Sequence, residues 1–157
     1  MNDYEKLVQF AHNLGIEVVE KHFKSNAKGL CKGNKIGISK DIERNEEKLC
    51  VLAEEIAHSL FTVGNILDQN NVFNVKQEEF AKRKAYEALL PLSALVDAYF
   101  QQFSSVYEMA EYLGVTESFL NSSLRHYQRK YGVYVKHDKW LIYFSPLKVH
   151  EAITYTA

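Results

Sequence analysis

Tyr4, Leu7, Val8 and Ala11 fall on a single stripe, the three- and four-residue spacing of a helix that buries one face and wets the other. Asn2 or Asp3 stands where a short polar side chain accepts from the first free N–H groups, and Gly15 stands where such a helix closes. The period then falls to two. Ile16 to Val19 reads as a short strand, and Leu30 to Ile38 as a hairpin turning at Gly33-Asn34. Helical spacing returns with Leu49, Leu52, Ala53, Ile56 and Leu60, the inward positions of a helix from near Asn45 to near Gly64. After a loop reaching Asn74, Glu78 heads another helical pattern, with Ala81, Ala85 and Ala88 recurring and Leu89-Leu90-Pro91 ending it. Small residues there allow two helix backbones to approach closely.

The second half has a different rhythm. Tyr107 to Leu120 has the form of two helices across a tight turn, with Ala110 as small packing residue, Gly114 at the turn and Leu120 as core aliphatic. Thr116 stands as the cap of the second helix, which runs to about Tyr131. Past Gly132, Val133-Tyr134-Val135 and Trp140 to Phe144 predict a two-stranded wing. The expected fold class is α+β: a core over residues 1–102, then a small winged helix-turn-helix-like region over 103–157 packed on it.

Composition narrows the setting. The chain has 157 residues, 46% hydrophobic and 25% charged, enough for one compact core with a small appendage. No apolar run approaches the ~20 residues of a membrane helix, and Met1-Asn2-Asp3-Tyr4-Glu5-Lys6 lacks the basic start and apolar stretch of a signal peptide. Cys31 and Cys50 are the two cysteines, so a disulfide framework is not expected and a reduced, cytoplasmic setting is. Cys50 reads as buried filler.

Candidate chemistry concentrates in Leu52-Ala53-Glu54-Glu55-Ile56-Ala57-His58, one residue from the zinc-peptidase pattern His-Glu-x-x-His. Ligands at i and i+4 lie above one another on a helix and reach one metal, while the Glu after the first ligand takes a proton from water. Here Glu54 and His58 take the ligand positions and Glu55 the base position. By itself the run is better read as a solvated acidic face beside one satisfied His. The small-residue helix headed by Glu78 supplies a third ligand, making Glu54, His58 and Glu78 the set. Asp68, in the loop between the two helices, reads as a surface turn residue or a support for that set.

These segments resemble the ImmA/IrrE family of metallopeptidases of phages and integrative elements. That family's active-site helix has the form Leu-Ala-His-Glu-hydrophobic-Gly-His, followed by a helix Glu-x-x-Ala-x-x-x-Ala running into Leu-Leu-x-Pro. Glu78, Ala81 and Ala85 match the second helix in spacing, Leu89-Leu90 and Pro91 match its end without the intervening residue, and Tyr143-Phe144-Ser145-Pro146-Leu147 extends the likeness loosely to the end. The resemblance implies a zincin-like core, Glu55 as general base, and His58 and Glu78 as second and third ligands. It also implies a small sheet beside the active-site helix whose edge holds extended substrate. Ala57 replaces the usual Gly, a mild change. Glu54 replaces the first His, so two anionic ligands would neutralise the ion and lower its Lewis acidity, or favour manganese over zinc.

The second half bears on partners. The first turns of its second helix offer Glu117, Ser118, Asn121 and Ser122, with Arg125, Arg129 and Lys130 only later. Glu117 would face phosphate with the wrong sign, and a net charge of −1 adds no attraction. Docking to the core or to a protein partner is therefore favoured over DNA binding. His126, Tyr127 or a tyrosine of the closing strands is a candidate oxyanion stabiliser; His12, His22, His137 and His150 read as surface or packing residues. The function expected by resemblance is a Zn2+ (or Mn2+) endopeptidase that cleaves the helix-turn-helix repressor of a phage or mobile element, an antirepressor. Two alternatives stand beside it: a non-catalytic antirepressor that captures the repressor, and a DNA-binding regulator using residues 105–145.

Overall fold

The computed structural model describes residues 1–61 and 72–153. The expected helix end near Gly64 and the loop residue Asp68 lie outside them. The chain forms two compact units, Met1–Leu89 and Leu90–Ala157, a division earlier than the 102/103 boundary suggested by the sequence pattern.

The first unit mixes α and β. Helix α1 (Asp3–Asn13) starts at Asn2, whose side chain accepts from the Glu5 N–H at 2.8 Å while Glu5 accepts from the Asn2 N–H, a reciprocal cap. Strands β1 (Glu17–Lys21), β2 (Gly29–Lys32) and β3 (Lys35–Ser39) form a sheet in the order β1-β3-β2. β2 and β3 are the expected antiparallel hairpin, with Lys32 opposite Lys35. Gly33 holds φ +62, which the first position of a tight primed turn requires. β1 joins β3 in parallel, and no local periodicity announces that pairing. Helices α2 (Asn45–Phe61) and α3 (Val72–Leu89) complete the unit.

Its core gathers Ala11, Ile16, Ile36, Ile38, Leu49, Leu52 and Ile56 from α1, the sheet and α2. α2 packs on α1, on β2 and β3, and along α3. Ala81 and Ala85 are fully buried, as close approach of α3 requires. Ala88 is exposed, and Leu60 is 47% exposed. Both depart from the expected inward stripe. α3 also begins before Glu78, at Val72.

In the second unit, α4 (Leu92–Phe100) follows Pro91. α5 (Val106–Leu113) ends at Gly114 in the left-handed conformation, φ 73, and α6 (Glu117–Tyr131) is capped by Thr116, which accepts from the Phe119 N–H. Strands β4 (Tyr134–His137), β5 (Trp140–Phe144) and β6 (Leu147–Glu151) form an antiparallel sheet in that order. Where two strands were expected there are three, since the chain turns back at Ser145-Pro146 and β6 pairs with β5. Leu90, Leu95, Val115, Leu120, Ile142 and Phe144 are its fully buried centre.

Candidate functional site

Helical spacing puts Glu54 and His58 four residues apart on α2, and Glu78 and Lys82 four apart on α3. The packing of α2 on α3 brings the two pairs together. His58 is buried, 3% exposed, and its Nε2 lies 3.1 Å from Glu78 Oε2. Burial alone would make His58 harder to protonate. The hydrogen bond to Glu78 and the negative field of Glu78, Glu55 and Glu54 outweigh it, so His58 is pushed up. That same bond holds Glu78 below the ordinary carboxylate range.

Glu54 and Glu55 are half-buried. Burial drives Glu55 up to about 7, opposed by His58 and reinforced by Glu78 and Glu54. Glu54 also rises through burial, with Lys82 opposing, Glu78 reinforcing and His58 opposing. Three carboxylates and one imidazole thus share a poorly solvated space in which full ionisation is unfavourable.

The strand β2 lies against this face of α2. A Cβ added at Gly29 would sit 2.7 Å from Val51 Cγ1 and 3.0 Å from Glu55 Cγ, so any larger residue there requires a neighbour to shift. One step along, Cys31 is pushed up to about 11 by burial and by the charge of Glu55, against a hydrogen bond with Ser59. Ser59 Oγ donates to the Gly33 carbonyl at 2.8 Å, tying α2 to the hairpin turn. β2 pairs with β3 alone, so its other edge is unpaired by any strand among the described residues.

The four expected residues are therefore neighbours, although they do not stand alike. His58 and Glu78 touch; Glu54 and Glu55 act on them through their charge. Imidazole and carboxylate are ligand types that zinc takes, and the surplus negative charge suits a divalent cation. Among the described residues, however, no three His, Cys, Asp or Glu side chains are gathered as a set that could hold a metal ion. Lys82, Gly29, Cys31 and Ser59 were not singled out by the sequence reading. Only Lys82 left a signal, its four-residue spacing from Glu78.

Two of the candidate oxyanion groups, His126 and Tyr127, belong to the second unit. Tyr127 is buried and its hydroxyl donates to the Leu90 carbonyl at 2.8 Å, while His126 is buried against the Tyr127 ring within the same unit. Cys50 is buried, as expected. His12, His22 and His150 are exposed and His137 is half-buried.

A family model described as the IrrE N-terminal-like domain (Peptidase_M78) matches residues 11–125, a span that contains Glu54, Glu55, His58 and Glu78. Neither a curated protein nor a solved structure matches the chain.

Proposed function

From the premise that the chain belongs to the IrrE N-terminal-like peptidase family, we propose that it is a metal-dependent endopeptidase acting on a helix-turn-helix repressor of a phage or integrative element. The observation that carries this reading is the clustering of Glu55, His58 and Glu78 beside β2, whose outer edge no strand pairs among the described residues. His58 and Glu78 would hold the ion, with Glu54 as third ligand. A divalent cation, zinc or manganese, supplies polarisation of the scissile carbonyl when bound. The protein's own part is proton handling and positioning. Glu55, pushed up to about 7, is matched to accept a proton from the attacking water and return it to the leaving amine near neutral pH. The outer edge of β2, which no strand pairs among the described residues, would offer backbone donors and acceptors to an extended substrate segment. Cleavage would free the genes that the repressor silences. The proposed architecture is a zincin-like core followed by a winged helix-turn-helix-like region in a cytoplasmic protein.

A second reading keeps the capture and drops the chemistry. It is favoured by Glu54 in place of the first His and by Lys82, whose charge already opposes that of Glu54. Incubating the purified protein with its cognate repressor, with and without Zn2+ or Mn2+, separates the two. Cleavage seen by mass spectrometry and abolished in Glu55→Gln supports the peptidase. A stable complex with intact repressor, unchanged in Glu55→Gln, supports the binder. Metal content measured alongside Glu54→Ala, His58→Ala and Glu78→Ala tests the ligand set: near-stoichiometric metal in the parent should vanish in each variant.

A further inference from the structure

The sheet of the second unit has two faces of opposite character. Its register places Val135, Ile142 and Val149 in one row, and Phe144 opposite Leu147. Ile142, Phe144 and Val149 are buried, so this face closes the core. By alternation, the other face carries the row Tyr134, Tyr143, Lys148 and the row Lys136, Leu141, His150. Tyr134, Lys136, Lys148 and His150 are exposed and Tyr143 half-buried.

That outer face contains no acidic side chain. Asp138 lies in the β4–β5 turn, and Glu151 falls in the row of the inward face, opposite Trp140. Among the described residues neither Lys136 nor Lys148 has an ion-pair partner. The rings form a connected strip across all three strands. Tyr134 and Tyr143 have centroids 5.5 Å apart, and Tyr143 and His150 lie 5.9 Å apart, edge to face.

We infer that this face is a binding platform for single-stranded nucleic acid. Rings on adjacent strands offer stacking surfaces to splayed bases, and flanking lysines meet the phosphates. Three strands are about 10 Å across, enough for about two or three nucleotides. A duplex keeps its base faces hidden, so a platform of rings selects single strands. A protein partner fits less well: lysine is depleted at protein interfaces, and Leu141 is the one aliphatic side chain on the face. Duplex reading through α6 is also less favoured, since its first two turns, Glu117 to Leu124, hold no Lys or Arg.

The test is fluorescence anisotropy of the full chain with labelled dT and rU 12-mers at low salt, against a 12-bp duplex and polyglutamate. Saturable binding that prefers the single strands is expected. Tyr134→Ala and Tyr143→Ala should each weaken it about five- to a hundredfold, while Tyr143→Phe retains it. Lys136→Gln and Lys148→Gln should each reduce the slope of log K against log salt by about 0.7. Absence of binding, equal binding to the duplex or polyglutamate, or indifference to tyrosine loss in variants that melt like the parent would each overturn the proposal. So would tyrosine variants that lose repressor capture in a protein that binds no oligonucleotide, which would assign the face to a protein partner.

Discussion

Glu55 is half-buried on α2 with its side chain beneath the backbone of Gly29, and its environment disfavours the very charge that general-base chemistry needs. Its carboxyl is protonated more readily in the fold, at about 7, than in an unfolded chain, near 4.5. A raised folded value means stability that is fully present below pH 4.5 and lost as pH climbs through about 7. The gap corresponds to about 3 kcal/mol at full effect. His58, also raised, loses its contribution in the same direction, whereas the lowered Glu78 loses its own only as pH falls below the ordinary carboxylate range. Metal-free protein should thus unfold more easily in urea at pH 8 than at pH 5. Glu55→Gln should recover part of that loss at pH 8 and little at pH 5; equal stabilities at both would contradict the burial of this carboxylate. Gly29→Ala acts on the same spot from the other side. Its new methyl must displace Val51 or the strand, which should cost about 1–3 kcal/mol in a thermal or urea melt and lower any peptidase activity with it.

At the level of elements, the site depends on how closely α3 lies along α2. Ala81 and Ala85 are both fully buried, one and two turns beyond Glu78, while Ala88 is exposed. Ala85→Leu should push the helices apart, costing about 1–3 kcal/mol and weakening Zn2+ binding in a calorimetric titration, because the 3.1 Å contact of His58 with Glu78 bridges the two helices. Ala88→Leu, made on the exposed face, should stay within about 0.5 kcal/mol of the parent and bind alike. The small-residue pattern was legible in the sequence, since helical spacing puts Ala81 and Ala85 with Glu78. The outward turn of Ala88 was not. Periodicity describes a stripe and does not say which part of it a neighbouring element covers.

Across the molecule, the candidate chemistry belongs to one unit. Glu54, Glu55, His58, Glu78 and Lys82 all lie within Met1–Leu89, although the family match runs on to residue 125, inside α6. The second unit has its own buried centre and its own hydrogen bond from Tyr127 to Leu90. A fragment of residues 90–157 should therefore fold alone, with a cooperative melt in circular dichroism. A fragment of residues 1–89 should retain whatever divalent-metal binding the full chain has. A non-cooperative 90–157 fragment, or a 1–89 fragment that folds yet binds no metal where the full chain does, would count against this division.

What the sequence by itself determined was local. Asn2 and Thr116 cap their helices, Gly33-Asn34 turns the hairpin and Gly114 the helix pair, because each feature depends on atoms within a few residues of one another. Spacing also put Glu54, Glu55 and His58 on one helix and Glu78 at another helical pattern, and the motifs built on them carried the family resemblance. The tertiary structure alone decided that His58 touches Glu78 while Glu54 shares its field with Lys82, and that Glu55 is raised to about 7. It alone decided that β2 runs along α2 over Glu55, and that three strands rather than two share an outer face of tyrosine, lysine and histidine. Burial and charge at a site sum over groups distant in sequence, and strand pairing joins segments whose local patterns do not name their partners.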